Sequence, residues 1–452
     1  MKNTQTLTLS KKKYTYDILD SIDVGIEVVD NPYSIPIEQL FTMAARINKK
    51  RAFLFVSKVL GKHLPIDPNK GLLTAALLAA RYVESVKGVE TVGRESLLSA
   101  FLEGGTFQRN SFIPAHINPV VIGFAETATA LGHAFFDCFQ RAAFFHTTRE
   151  EIAGHDAMIT FEEEHSHATS HRCYIPLEMI HHQQEIILVD DELTTGKTAL
   201  NIIQSIHRQY PRSEYTVVSI LDWRSEEHQQ LFLKLEQKLG ITIHVVSLLS
   251  GQIRVTEKVG LEVRPDSGTV DVDGGESSIE LIELDSFFQD SLYLSNKRLN
   301  KAPFIQETGR FGLWGHENSS VHNSISAAAA FLKQKRTGSK TLCLGTGEFM
   351  YLPMRLAAEL GCEVQYQSTT RSPIYIESKE SYGARFGWSF PNPEDPEVTH
   401  FVYNIPPGEY DECFVFFERE VGMAQLRPML NELEKTGIHS IKIVFFSKIR
   451  GE

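Results

Sequence analysis

The stretch EIILVDDELTTGKTALNII, residues 185–203, constrains the fold more than any other part of the chain. Four apolar residues lead into two adjacent carboxylates, Asp190 and Asp191, and a Thr/Gly/Lys/Thr turn and apolar residues at helical spacing follow. This order predicts a buried strand, a loop and a helix. Similar short apolar runs alternate with helical patterns over most of the length, so we expect an α/β protein with a largely parallel sheet.

The turn after the two carboxylates is suited to an anion, but it is not a P-loop. A P-loop needs a glycine five positions before Gly196, and Asp191 occupies that place. Two ionised carboxylates instead suit the vicinal hydroxyls of a ribose, directly or through a magnesium ion. A monophosphate can be wrapped by backbone amides and hydroxyls at the positive end of the next helix. The residues of this turn are Thr194, Thr195, Gly196, Lys197 and Thr198. Together the two halves of the stretch indicate a 5-phosphoribosyl group.

The length of the chain, 452 residues, exceeds one compact domain, so roughly two or three domains are expected. The segment RPDSGTVDVDGGESS is rich in Gly, Ser and Asp and separates two halves that each contain a strand–turn–helix unit. We predict a first domain at residues 1–264, a linker or exposed loop at 265–278 and a second domain at 279–452.

The composition limits the classes of binding partner and the cellular compartment that we expect for this protein. The net charge of -12 argues against a protein that coats nucleic acid or an anionic membrane. The five cysteines are scattered without a C-x-x-C pair, which fits free thiols in a reducing compartment. The first residues lack the apolar core of a signal peptide, and no later run reaches the roughly 18 apolar residues of a membrane span. We therefore expect a cytoplasmic protein.

The segment IILVDDELTTGKTA resembles the fingerprint of the type I phosphoribosyltransferases, in which an apolar run, two acids and two variable residues precede a Thr-[Thr/Ser/Ala]-Gly turn. The resemblance implies the fold of that family, a parallel sheet flanked by helices with a hood. It also implies transfer of a 5-phosphoribosyl group from 5-phosphoribosyl 1-diphosphate to a nitrogenous acceptor, with release of pyrophosphate. Asp190 and Asp191 would hold the ribose hydroxyls and Mg²⁺, and residues 194–198 the 5-phosphate. The fold is compatible with a homodimer.

Further segments extend this resemblance. VVIGFAETATALGHAFFDCF is similar to the family's pyrophosphate-binding strand–loop–helix, with Gly132 at the close helix start. The implied loop consists of Glu126, Thr127, Ala128, Thr129 and Ala130. AAFFHTTRE lies where the family places a basic residue, which makes Arg149 a candidate for pyrophosphate. Trp223 and Arg224 would lie near the acceptor base.

The acceptor side is less constrained by the sequence. RAFLFVSKVLGKHLPIDPNKGLL carries Lys58, Lys62 and His63 where the family forms a hood, and a surface hairpin is the alternative. Hypoxanthine-guanine enzymes of the family carry an aspartate where this chain has Thr194. Its absence argues against a 6-oxopurine acceptor.

The segment FEEEHSHATSHR, residues 161–172, lies where type I enzymes keep a mobile loop that closes over the reacting centre. Closure would exclude water from that centre. His165, His167 and His171 could donate to pyrophosphate oxygens or shuttle a proton. A transition-metal site at the H-x-H spacing and a solvated loop without a role are the alternatives.

The C-terminal half has its own strand, Gly-rich turn and helix in LCLGTGEFMYLPMRLAAELG, which predicts a second, Rossmann-like α/β domain. It is not a dinucleotide fingerprint, because Met350 stands where the third glycine belongs. The turn STTRSP offers three hydroxyls and an arginine, the composition of a phosphate or carboxylate cradle. A surface ion pair is the alternative for that arginine. The second candidate site comprises Arg310, Gly345, Gly347, Glu348, Thr370 and Arg371.

The combination of FVSKVLGKHLP, FAETATALGH, FEEEHSHAT, LGTGEF and TTRSPI resembles a narrower family over nearly the whole chain. These are bacterial phosphoribosyltransferases with a C-terminal TRSP domain, associated with tellurium-resistance and stress operons. The resemblance implies a role in making or salvaging a nucleotide-like metabolite and leaves the acceptor and the chemistry of the TRSP domain open. A sensor that binds the sugar phosphate without turnover and a stress-complex scaffold are the other functions that stay open.

Overall fold

The computed structural model describes residues 12–47, 52–162, 170–258, 276–297 and 300–449, in which strands and helices alternate. The strands are β1 Lys13–Ile18, β2 Ile22–Asp30, β3 Phe41–Ala45, β4 Phe53–Ser57, β5 Val120–Gly123, β6 Ala143–His146, β7 Ile159–Glu162, β8 Ser170–Cys173, β9 Ile186–Val189, β10 Glu192–Leu193, β11 Glu214–Asp222, β12 Thr242–Glu257, β13 Ser278–Glu283, β14 Leu313–Trp314, β15 Thr341–Gly345, β16 Val364–Ser368, β17 Gly387–Asn392, β18 Asp395–Tyr403, β19 Glu412–Arg419 and β20 Ser440–Ser447. The helices are α1 Pro68–Val86, α2 Arg94–Glu103, α3 Ala128–Phe136, α4 Lys197–Gln209, α5 Glu226–Leu239, α6 Asn318–Lys335, α7 Tyr351–Glu359 and α8 Met423–Glu434.

The first sheet is built around parallel strands, as predicted. Its order is β1-β2-β12-β11-β9-β5-β6-β14, with β10 paired to β11. Strands β12, β11, β9, β5 and β6 run parallel. All residues of β5, β6 and β9 are buried, which requires cover on both faces of the sheet. The carboxyl ends of these strands meet at one edge, where open α/β sheets bind their ligands.

The edges of this sheet are antiparallel, which the sequence analysis did not predict. Strand β12 continues far enough to pair with β2, which in turn pairs with β1. On the other edge β14 pairs with β6. Strand β1, KYTYDI, alternates between exposed and partly buried residues, so it lacks the apolar run that marks the central strands.

Helix ends follow ordinary capping chemistry. Helix α1 starts behind Asp67, whose carboxylate accepts from the backbone N–H of Asn69 at 2.9 Å, with proline as its first residue. Helix α5 starts behind Ser225, whose hydroxyl accepts from the backbone N–H of His228 at 3.3 Å, and ends at Gly240.

The second sheet is parallel throughout, in the order β13-β20-β19-β15-β16. Strand β15 leads through the Gly-rich turn into α7, as the sequence predicts. An antiparallel hairpin of β17 and β18 packs beside α8 and was not predicted. Residues 259–275 lie outside the described residues, so the domain division at 264 and 278 stays a prediction.

The two sheets are joined through helices. Helix α3, which follows β5, packs against α7, which follows β15, and α1 contacts both helices. One continuous cluster of buried apolar side chains extends from the first sheet through these helices into the second sheet. Because α3 and α7 pack together, the loops that precede them, residues 124–127 and 346–350, face each other.

Two expectations from composition can be compared with the structure. All five cysteines are free, and all but Cys362 are buried. Within the described ranges no helix combines the length and apolar character that crossing a bilayer requires.

Candidate active site

A cavity of about 260 Å³ opens at the carboxyl edge of the first sheet. It is lined by residues from three loops of that sheet, from the β3–β4 hairpin and from the second half of the chain. Eight residues proposed from the sequence for the ligand line it, together with Lys62 and His63 of the predicted hood: Glu126, Thr127, Arg149, His171, Asp190, Asp191, Thr194 and Thr198. Segments far apart in the sequence therefore meet around one space.

The two adjacent acids are anchored by their backbone. The N–H of Asp190 donates to the carbonyl of Val218 at 2.9 Å, and the carbonyl of Asp191 accepts from Ile220 at 3.2 Å. Both residues are thus tied to β11 beyond the end of β9. The N–H of Asp191 also donates to the Asp190 carboxylate at 2.9 Å. A third acid that the sequence analysis did not name, Glu192, lines the same cavity.

The predicted phosphate turn ends in a helix start. Gly196 has φ +71° and α4 begins at Lys197, as predicted. Thr194 and Thr198 line the cavity, whereas Thr195, Gly196 and Lys197 do not; Thr195 Oγ1 accepts from the N–H of Lys197 at 3.3 Å. The turn therefore presents two hydroxyls and the amino end of a helix to the cavity.

The turn rests on α5. A Cβ at Gly196 would lie 2.6 Å from the ring of Phe232, so only glycine fits here without displacing that ring. The guanidinium of Arg224 stacks on the same ring at 4.3 Å and forms an ion pair with Asp222 at 2.8 Å. Arg224 is therefore occupied behind the turn and does not line the cavity.

The predicted pyrophosphate loop follows β5. Glu126 and Thr127 line the cavity, whereas Ala128, Thr129 and Ala130 form the first turn of α3. The N–H of Ala125 donates to Thr147 Oγ1 at 2.9 Å, which ties the loop to the end of β6. A Cβ at Gly132 would lie 2.8 Å from Gly123 Cα, so glycine allows α3 to pack directly on β5.

The carboxylate of Glu126 is buried among cations. Its Oε2 lies 3.6 Å from Lys62 Nζ, and its Oε1 lies 3.9 Å from Arg371 Nε. Burial by itself would raise the pKa of Glu126, but the positive charges of Lys62, Arg149 and Arg371 outweigh it and hold that pKa below the usual value. Glu126 is therefore ionised at neutral pH.

The β3–β4 hairpin forms one wall through Leu54 and Phe55. Phe55 stacks on Trp223 with ring centroids 5.0 Å apart and an interplanar angle of 19°. Trp223 supports this wall from behind and does not line the cavity itself. His63 also lines the cavity. Burial, together with the nearby positive charges of Lys62 and Arg46, holds the pKa of His63 well below its usual value, so the imidazole is neutral.

Of the three histidines in the predicted mobile loop, His165 and His167 lie outside the described residues. His171 is buried in β8 and lines the cavity. Its Nδ1 shares a hydrogen bond with Thr147 Oγ1 at 2.8 Å, and its ring stacks on Phe161 with centroids 5.2 Å apart.

Most residues of the second candidate site lie at the contact with the first half of the chain. Glu348 and Arg310 form an ion pair at 3.7 Å, and Glu348 also bonds residues of the first half. Arg371 Nε lies 3.9 Å from Glu126 Oε1, and a Cβ at Gly347 would lie 3.7 Å from the same oxygen. Gly345 packs against the Phe349 carbonyl, and Thr370 pairs with Phe401 by backbone hydrogen bonds. Four of the six residues therefore belong to the contact with the first half.

Several lining residues were missed or only partly anticipated by the sequence analysis. Ser372, from the STTRSP turn, lines the cavity of the first half, whereas the sequence predicts a separate cradle at this turn. For Lys62 and His63 the sequence predicts only a place in a hood. Arg46 carried no local signal, because a single arginine after an apolar run has no distinguishing spacing.

Asp190 and Asp191 are the residues proposed to hold Mg²⁺. The described ranges contain no group of three or more His, Cys, Asp or Glu side chains arranged to hold a metal ion. Mg²⁺ is usually held by one or two carboxylates together with substrate phosphates and water. Asp190 and Asp191 fit an ion that binds together with a phosphorylated substrate.

Family models match the chain in two successive segments. A model described as phosphoribosyl transferase matches residues 40–252, and the TRSP domain that lies C-terminal to it matches residues 307–433. The chain belongs to the phosphoribosyltransferases that carry a C-terminal TRSP domain. The first segment contains the acid pair, the phosphate turn and the pyrophosphate loop, and the TRSP domain contains Glu348 and the Thr370–Ser372 turn. The family resemblance and the α/β fold predicted from the sequence are confirmed.

Solved structures of adenine phosphoribosyltransferases show similarity to about half of the chain. The enzyme of Trypanosoma brucei in complex with AMP, pyrophosphate and ribose-5-phosphate is 12% identical and matches over 49% of this chain and 82% of its own, with a TM-score of 0.30. The Saccharomyces cerevisiae enzyme is 15% identical over 48% of this chain and 98% of its own, with a TM-score of 0.28. Comparison with curated proteins gives no match. The family assignment rests on the two family models.

Proposed function

We propose that the phosphoribosyltransferase domain binds 5-phosphoribosyl 1-diphosphate and transfers its phosphoribosyl group to a nitrogenous acceptor, with release of pyrophosphate. The observation that carries this proposal is the convergence of the acid pair, the phosphate turn, the Glu126–Thr127 loop and Arg149 on one cavity. Each of these groups suits a different part of the same substrate.

The ribose 5-phosphate part of the substrate would lie between the acids and the turn. Asp190 and Asp191 accept hydrogen bonds from the two ribose hydroxyls, since ionised carboxylates are acceptors only. The 5-phosphate is bound by the hydroxyls of Thr194 and Thr198 and by the amino end of α4, where backbone N–H groups lack helical partners. Residues 190–198 therefore hold both ends of the sugar.

The diphosphate would lie toward the Glu126–Thr127 loop and Arg149. During transfer the C1–O bond to the diphosphate breaks while a C1–N bond to the acceptor forms, so pyrophosphate leaves with the bonding electron pair. Cations and N–H donors aimed at the leaving oxygens stabilise the charge that develops there. The proton released by the acceptor nitrogen would pass to the imidazole of His171, which lines the cavity.

Mg²⁺ would be held by Asp190 and Asp191 together with substrate oxygens, where it supplies positive charge to the leaving diphosphate. The acceptor would occupy the side of Leu54, Phe55 and His63, a wall that suits a flat heterocycle. A nucleotide-like product linked to tellurium resistance or stress stays a prediction from the family resemblance.

The reaction can be tested with the full-length protein, Mg²⁺, 5-phosphoribosyl 1-diphosphate and a panel of purine, pyrimidine and pyridine bases. We expect pyrophosphate release that depends on one class of base. Tight binding of the diphosphate without release for any base would contradict transfer and favour a sensor. Absence of binding would exclude both functions.

A further inference from the structure

Glu348 of the TRSP domain holds both segments that are proposed to bind the diphosphate. Its Oε1 accepts from the backbone N–H of Arg149 at 2.7 Å, and its Oε2 accepts from Thr148 Oγ1 at 2.6 Å. Its backbone carbonyl accepts from Thr129 Oγ1 at 3.0 Å, in the first turn of α3. One residue of the second domain thus fixes the end of β6 and the loop after β5 relative to each other.

The carboxylate of Glu348 is itself held in place by Arg310. Arg310 Nη2 lies 3.7 Å from Glu348 Oε2, while Nη1 donates to both carboxylate oxygens of Glu418 at 2.7 and 2.8 Å. Burial would raise the pKa of Glu348, but Arg310, His146 and the hydrogen bonds from Thr148 and Arg149 hold that pKa below its usual value. The group is therefore an ionised acceptor with its oxygens already engaged, and it does not present free negative charge to the cavity.

A second contact comes from the Thr370–Ser372 turn. Arg371 Nε lies 3.9 Å from Glu126 Oε1, whereas Lys62 Nζ lies 3.6 Å from the other carboxylate oxygen. Arg371 stands directly behind the cavity lining, to which its neighbour Ser372 belongs. In the described part of the chain, the buried Arg371 Nε and Ser372 Oγ have no hydrogen-bond acceptor or donor. Lys62, Arg149 and Arg371 act on Glu126 together, so a single carboxylate faces three cations. This local excess of cations around Glu126 suits a ligand with several negative charges, and the other acids of the cavity, Asp190, Asp191 and Glu192, come from the loop after β9.

We infer that the TRSP domain builds the diphosphate half of the transfer site, with Glu348 as a positioning residue and Arg371 as a cation that faces the diphosphate. In the free protein Glu126 is the counterion of Lys62 and Arg371, and the diphosphate takes over these cations when it binds. The inference rests on the proposed function. It assigns the LGTGEF and TTRSP motifs to the same site as the acid pair and gives the second domain a role in the first domain's reaction.

The test measures the affinity of two variants of the full-length protein for two ligands, pyrophosphate and ribose 5-phosphate. Glu348→Gln keeps the size of the side chain but removes the charge that Arg310 holds, and Arg371→Gln removes the second-domain cation. We expect each variant to bind pyrophosphate with Mg²⁺ about tenfold or more weakly in calorimetry, the loss of one charge-assisted contact. Ribose 5-phosphate, which on the proposed function would contact only residues 190–198, should bind as in the wild type and reports that the fold is intact.

Matched controls come from the surface of the same domain. Glu409→Gln removes an exposed carboxylate that pairs with Lys340, and Arg427→Gln removes an exposed guanidinium that pairs with Glu434. Both should bind the two ligands as the wild type does. Wild-type affinity for pyrophosphate in either test variant, or an equal loss for both ligands, would overturn the inference while leaving the proposed function intact. Failure of the wild type to bind 5-phosphoribosyl 1-diphosphate would instead overturn the proposed function.

Discussion

At the scale of single residues, Gly196 is under the tightest steric constraint in the phosphate turn. An alanine at this position needs a positive φ and places its Cβ 2.6 Å from the Phe232 ring. Gly196→Ala should therefore lower the free energy of unfolding by about 1–3 kcal/mol and weaken ribose 5-phosphate binding, because relief of the clash moves the turn.

Gly240 provides the matched control, because it has φ +66° and a Cβ at this position would meet nothing within 4 Å. Gly240→Ala should cost only the backbone strain of about 1 kcal/mol and leave ribose 5-phosphate affinity unchanged. Urea denaturation and calorimetry measure both effects. Equal results for the two variants would show that the contact with Phe232 does not shape the turn.

The residues that could be predicted from the sequence are those whose partners are close in the chain. Asp190 through Thr198 form one strand–turn–helix unit, so their spacing alone brings the acids and the turn together. Glu348 and Arg149 are separated by 199 positions, and their hydrogen bond follows from the packing of two sheets. No spacing rule within either segment could have indicated that contact.

At the scale of elements, a buried carboxylate ties the C-terminal end of α3 to the TRSP domain. Asp137, just after α3, accepts from Asn318 Nδ2 at 2.9 Å, shares a hydrogen bond with His322 Nε2 at 3.2 Å and accepts from the Tyr351 hydroxyl. Arg355 Nη1 lies 3.7 Å away. Asp137 thus joins the C-terminal end of α3 to α6 and α7.

Removing this carboxylate should be strongly destabilising. Asp137→Ala leaves buried donors and the buried Arg355 guanidinium without that partner, and we expect a loss of about 3–5 kcal/mol in the free energy of unfolding. Asp285→Ala, which removes a partly exposed ion pair with Lys448, should cost at most about 1 kcal/mol. Urea denaturation compares the two. A cost for Asp137→Ala as small as that of the control would contradict this role.

Strands whose residues are all buried can be predicted from the sequence more readily than strands that are partly exposed. Strands β5, β6, β9 and β15 are buried throughout and appear in the sequence as apolar runs. Strand β1 and the β17–β18 hairpin alternate or carry polar and proline residues, and the sequence analysis missed them. Their pairing depends on neighbours that only the folded sheet supplies.

At the scale of the whole molecule, several histidines are buried in neutral form. Burial lowers the pKa of His133 to about 3 and the pKa values of His146 and His400 to about 4. In the unfolded chain the pKa of a histidine is about 6.5. Below that pH the unfolded chain therefore binds protons that the folded chain does not. The free energy of unfolding should therefore be fully retained above about pH 6.5 and fall as the pH decreases toward about 4.

The contribution of one histidine to this pH dependence can be isolated. His133 stacks on Tyr351 with ring centroids 3.6 Å apart, and His133→Phe keeps an aromatic ring there but removes the titrating group. Between about pH 6.5 and 4, the slope of the unfolding free energy against pH should decrease by the amount that corresponds to one bound proton. A wild-type slope in His133→Phe would contradict the account.

The central claim is that the two neighbouring acids and the turn behind them bind the sugar of 5-phosphoribosyl 1-diphosphate. Titration calorimetry of that ligand with Mg²⁺ tests it most directly, on the wild type and on the double variant Asp190→Asn with Asp191→Asn, with the surface variant Asp30→Asn as control. The account predicts binding by the wild type and the control and no detectable binding by the double variant. An unchanged affinity in the double variant would contradict it.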